Sequence, residues 1–111
     1  SYAPHEKAFN FYSSIDKPLN IHAHSLRDFA HKIEKVDLSA IIFHMQRGDF
    51  EAWVRGVGDE ELVKKIGLLK KRNFTGEELR KQLHEIVELR YLDLANLSGQ
   101  PIPPEDKHTH P

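Results

Sequence analysis

The chain has 111 residues, 39% of them apolar and 30% charged, with a formal net charge of −1 and no cysteine. That length suits one domain around one core, and near-neutrality excludes a general attraction to phosphate backbones or anionic lipid. The missing cysteines exclude a disulfide scaffold, thiolate metal sites and thiol nucleophiles, and no run approaches the roughly 20 apolar residues that span a bilayer. No signal-type segment is visible, so a cytoplasmic setting without membrane contact is the expectation.

Residues 8–12, with Phe9, Phe11 and Tyr12, are short, aromatic and partly alternating. They read as a strand or an extended arm over a helical core, and Pro18 then argues for a loop. The first clear helix begins after Ser25, a cap with Asp28 three positions on. Leu26, Phe29, Ala30 and Ile33 give it an apolar stripe. Val36-Asp37 reads as a break and a new cap. Residues 38–46 are nearly all apolar and predict a buried helix, with a strand as the alternative because of their β-branched content. Gly48 suits a helix end, and Asp49 is expected to cap a short helix over 50–55 carrying the stripe Phe50, Trp53, Val54, Val57. Gly58-Asp59-Glu60-Glu61 opens another helix, its acids at the positive end of the dipole. Leu62, Val63, Ile66 and Leu69 form its inner face. Thr75-Gly76-Glu77-Glu78 reads as a capping box for a last helix of some twenty residues, with Leu79, Leu83, Ile86, Val87 and Leu94 inward. Ser98-Gly99 ends it.

These elements predict an all-α fold, a compact irregular bundle of about five helices with a short extended N-terminal arm as an option. One helical domain over 1–99 is expected, its ordered core at 8–97. Residues 100–111, with four prolines and two histidines, read as a flexible tail.

The stretch Phe43-His44-Met45-Gln46-Arg47-Gly48-Asp49-Phe50-Glu51-Ala52-Trp53 resembles the central signature of a small uncharacterised family found mainly in archaea and some bacteria. Phe9-Asn10-Phe11-Tyr12, Ser25-Leu26-Arg27-Asp28-Phe29, Gly58-Asp59-Glu60-Glu61-Leu62 and Gly76-Glu77-Glu78-Leu79-Arg80 are also similar. The resemblance covers residues 8–91. It implies a compact helical domain and no particular activity. The His22-Ala23-His24 segment is not part of the family pattern.

Three constellations carry chemistry. His24, Asp28 and His31 stand at i, i+4, i+7 on one helix face, with His22 beside them. Imidazole and carboxylate ligands suit zinc, iron or nickel; a solvated helix face opposite Leu26, Phe29 and Ile33 is the plainer reading. His44, Arg47, Asp49 and Trp53 outline a small polar site. The alternative is a core histidine satisfied by a nearby carboxylate. Arg47-Gly48-Asp49 spells an adhesion tripeptide, which a capping Asp49 explains without a partner. Finally, Lys64, Lys65, Lys70, Lys71 and Arg72 open a basic stretch: residues 64–81 hold seven basic and two acidic residues. Phosphate binding is one use of it and a solvated lysine face the ordinary one. No GxSxG, Gly-rich phosphate loop, HExxH or DxDxDG motif is present.

The favoured function is therefore a non-catalytic protein-interaction or regulatory module. Its partner is an unidentified protein or a second copy, engaged through aromatics such as Tyr2, Phe9, Phe11 and Tyr12, with no cofactor implied. The alternative is a divalent-metal domain or metal-dependent enzyme on His22, His24, Asp28 and His31. Nucleic-acid binding by the basic face ranks last.

Overall fold

A computed structural model describes residues 7–99. The expected tail at 100–111, Tyr2 and the histidines at 5, 108 and 110 lie outside the described residues. Two strands come first, β1 (Phe9–Ser14) and β2 (Lys17–Ala23). Five helices follow: α1 (Leu26–Ile33), α2 (Leu38–Arg47), α3 (Asp49–Gly56), α4 (Glu60–Lys71) and α5 (Gly76–Ser98).

The helices agree with the sequence reading, and 38–46 is helical rather than extended. The fold class does not agree. The two strands pair as an antiparallel hairpin, so the domain is mixed α/β and not all-α. Pro18, read as a loop residue, sits inside β2. Proline is tolerated there because a two-stranded sheet has edges that need no N–H donor. Phe9 pairs with Ala23 and Asn10 with His22, whereas Tyr12 pairs with Pro18. β2 therefore carries two more residues than β1 across this interval. Asn20 absorbs part of the excess with φ of 58°, a left-handed conformation that asparagine tolerates better than most side chains. The alternation that was legible in 8–12 is real: Phe9 and Phe11 point inward and are buried, while Asn10 is exposed.

Local capping is mixed. Ser25 Oγ accepts the Asp28 N–H at 3.1 Å, and the Asp28 carboxylate accepts the His24 N–H at 3.2 Å. Asp59 accepts the Leu62 N–H at 3.0 Å. Asp37 and Thr75 occupy N-cap positions without a side-chain cap hydrogen bond, and Glu78 instead accepts from Gln82 at 2.7 Å. Gly48, with φ of 74°, closes α2 and opens α3 at once. Such a sharp helix-to-helix bend requires a left-handed residue, which glycine supplies without a Cβ penalty. Asp49 is thus the first residue of α3 rather than its cap.

The hairpin packs on α1 and α2, and α5 packs on α1, α4 and α2. An aromatic cluster binds the layers. Phe9 lies 4.8 Å from Phe11, 5.5 Å from Phe29 and 5.2 Å from Phe50, centroid to centroid. Each such buried ring contributes on the order of 2–3 kcal/mol. Phe9 and Phe11 are therefore core residues and not aromatics spare for a partner. Among the described residues, no helix is long and apolar enough to cross a membrane.

Candidate functional site

The turn from α2 to α3 faces β1, and His44, Arg47, Asp49 and Trp53 converge there. His44 comes from the last turn of α2 and is 3% exposed. Its Nε2 accepts the backbone N–H of Tyr12 at 2.9 Å, across 32 residues. Its Nδ1 lies 2.8 Å from Asp49 Oδ2. Because Nε2 faces a donor, it must present its lone pair, so the ring proton sits on Nδ1 and is donated to Asp49. The ring is walled by Phe9 at 4.8 Å, Phe43 at 5.0 Å and Phe50 at 5.5 Å. Burial pushes the His44 pKa below its ordinary 6.5, and Arg47 adds to the lowering, against the hydrogen bond and charge of Asp49. The physical cause is that an imidazolium would lose solvation and turn Nε2–H against the Tyr12 N–H.

Asp49 Oδ2 also accepts Arg47 Nε at 3.0 Å. The Arg47 guanidinium lies over the Phe43 ring at 4.9 Å, a cation–π contact. Trp53 Nε1 donates to the carbonyl of Lys7 at 2.6 Å. His44 thus fastens β1 at the Tyr12 backbone, and Trp53 fastens the segment just before it at Lys7. The four residues predicted as a polar site are brought together: His44 and Trp53 bond the hairpin side, and Asp49 bonds His44 and Arg47.

What remains is a cleft of about 410 Å³ between β1 and the α2–α3 turn. Its walls include Asn10, Tyr12, Ile15 and Phe43 beside Arg47 and Trp53. Tyr12 is among the aromatics that the sequence offers to a partner, whereas Asn10 and Ile15 are not singled out there; for Asn10 the period-2 alternation of 8–12, which turns it away from the Phe9–Phe11 face, is the available signal. His44 and Asp49 have little left for chemistry: general-base catalysis needs a free imidazole lone pair within reach of a proton, and here a backbone amide takes it.

The histidine-rich face is arranged differently. The Asp28 carboxylate takes the Lys32 ammonium at 3.0 Å as well as the His24 N–H. Lys32 also donates to the carbonyl of His22 at 2.8 Å, and the His22 ring bonds the Asn10 carboxamide. The His22 and His24 ring centroids are 6.4 Å apart, and His31 is exposed. Among the described residues, no group of three or more His, Asp or Glu side chains is placed to hold a metal ion.

The five basic residues that open the stretch lie on α4 and its C-terminal cap. Lys65 pairs with Glu61 at 3.0 Å, Lys70 donates to the Gln46 carbonyl at 3.4 Å, and Arg72 lies over Phe74 at 4.9 Å. Lys64 and Lys71 are exposed. Arg80, counted in the stretch, turns inward: its NH1 donates to the carbonyls of Ile33 at 2.8 Å and Val36 at 2.7 Å. It thereby caps the C-terminal end of α1 from α5, across 44 to 47 residues. Asp59 is buried at the start of α4 and accepts Arg90 Nε of α5 at 2.8 Å. Burial alone would raise the Asp59 pKa, but the Arg90 hydrogen bond and the Leu62 N–H outweigh it and hold the carboxyl below its ordinary 3.8.

The chain is a small mixed α/β domain in which His44 and Trp53 tie the hairpin and the residues just before it to the helical core. The model of a family of unknown function, DUF5752, matches residues 2–88. The match covers most of the chain, which therefore belongs to that family. No curated protein and no solved structure matches it.

Proposed function

We propose that the chain is a non-catalytic protein-interaction or regulatory module, and that the cleft between β1 and the α2–α3 turn is the surface it offers. One observation carries this reading: both nitrogens of His44 are committed, to the Tyr12 N–H and to Asp49. The residues best suited to proton transfer therefore act as fold clamps, while aromatic and aliphatic walls line an open cleft. Exposed apolar surface rimmed by polar groups is a usual mark of an interaction site. Ile15, at the hairpin turn, is 64% exposed beside it. A mainly archaeal origin and a cytoplasmic setting belong to the same reading, the second supported by the lack of cysteine.

The test is photo-crosslinking in native extract from a benzoylphenylalanine placed at Ile15. The expected result is a discrete partner, or a second copy of the chain, whose adduct disappears in Tyr12→Ala. A labelling pattern that Tyr12→Ala leaves unchanged overturns the reading.

A further inference from the structure

Resting on that reading of the cleft, we infer that its occupant is an extended acidic peptide segment. Its carboxylate docks on the guanidinium of Arg47 while a neighbouring apolar side chain lies against Tyr12, Phe43 and Ile15.

Arg47 is positioned for this role before any partner arrives. Its Nε is tied to Asp49 at 3.0 Å and its plane is held 4.9 Å from the Phe43 ring. Those two contacts fix where the guanidinium points, so little rotamer freedom is lost on binding. The same contacts use one of its five N–H donors. NH1 and NH2 make no hydrogen bond with the described residues, and the side chain is 48% exposed. A planar fork with its terminal edge open is the donor geometry that matches a carboxylate bidentately.

The rest of the lining narrows the class. Among the described lining residues Arg47 is the one cation, and Asp49, the one carboxylate, is already bridged to His44 and Arg47. A single open fork fits a singly charged carboxylate. A phosphate group would call for further donors, such as a second cation or a glycine-rich loop, and the described residues of the cleft walls supply neither. A volume of about 410 Å³ accommodates one or two side chains, not a folded surface. The aromatic walls beside the fork supply the apolar half of the contact.

Trp53 is the chain's single tryptophan and lines this cleft, so its emission reports occupancy directly. The probes are capped tetrapeptides holding one Glu flanked by Leu or Phe, their Gln counterparts, and N-acetylglutamate. We expect the Glu peptides to shift Trp53 emission saturably and to bind about tenfold more tightly than the Gln peptides. Arg47→Gln should remove that preference, with an unchanged circular dichroism spectrum showing that the fold persists. Arg47→Lys should restore only part of it, because an ammonium lacks the fork. Equal binding of Glu and Gln peptides to the unsubstituted protein overturns the carboxylate clamp without any need of a variant. N-acetylglutamate binding as tightly as the best peptide overturns the peptide source in favour of a small metabolite. No peptide binding, with the Ile15 crosslink still recovered, overturns this inference but not the interaction module; loss of both overturns both.

Discussion

His44→Phe isolates the clamp that fastens the hairpin, because it keeps a ring among Phe9, Phe43 and Phe50 while deleting both ring nitrogens. The Tyr12 N–H then loses its acceptor at 2.9 Å, and a half-buried amide left unpaired costs about 1–3 kcal/mol. Asp49 loses the Nδ1–H donor at 2.8 Å but keeps Arg47, which adds about 1 kcal/mol. Relief of the buried imidazole's desolvation offsets part of this, leaving a net loss of roughly 2–3 kcal/mol. For a domain of this size that lowers Tm by about 10–15 °C. Urea unfolding followed through Trp53 emission measures the difference. The acid limb gives a second readout. His44 titrates near 6.5 in the unfolded chain and below that in the folded one. Between those two values the unfolded chain binds a proton that the folded chain does not. The His44 contribution is therefore complete above pH 6.5 and is lost as pH falls through that window, by at most about 1.4 kcal/mol per pH unit. His44→Phe should lack this component. A cost under about 0.5 kcal/mol, or identical slopes for the two proteins between pH 6.5 and 5, would refute the assignment of a neutral, hydrogen-bonded His44.

Arg80→Gln should uncap α1 by removing the bonds to Ile33 and Val36; a loss of about 1.5–3 kcal/mol is expected in chemical denaturation. Arg90→Ala leaves the Asp59 carboxylate buried without its partner and should cost more than Asp59→Asn, which keeps an oxygen for the Leu62 N–H; the reverse order would show that the ion pair is not what holds α4 to α5. The Asp59 contribution is complete above pH 3.8 and declines as pH falls toward the lower folded-state value, so acid titration of Asp59→Asn should be flatter there than that of the unsubstituted protein. Gly48→Ala meets only Glu51 Oε1 at 3.9 Å, so its cost is backbone strain at φ of 74°, about 1–2 kcal/mol by thermal melting. Zinc or a chelator should leave the melting temperature unchanged, since no metal-holding group is assembled among the described residues; a shift of several degrees would reopen the His22, His24, Asp28 and His31 face.

The five helices were legible because their signals act within a turn or two of the chain. Apolar residues recurred at helical spacing, Ser25 and Asp59 stood ready to cap, and Gly48 marked a reversal that no other residue makes as cheaply. The cluster His44, Arg47, Asp49 and Trp53 was legible for the same reason: those residues lie within ten positions of one another. What they do was decided at longer range. The Tyr12 amide reaches His44 across 32 residues, Trp53 reaches Lys7 across 46, Arg80 reaches Ile33 across 47, and Arg90 reaches Asp59 across 31. Strand pairing belongs with these. A proline and an irregular register disguised β2, and its strand character exists only because β1 folds back beside it. Periodicity and capping are properties of neighbouring residues. Hydrogen-bond satisfaction in a core depends on which distant groups the packed chain brings to face one another, and that gave the histidine of the expected polar site its second partner, the Tyr12 amide of the hairpin.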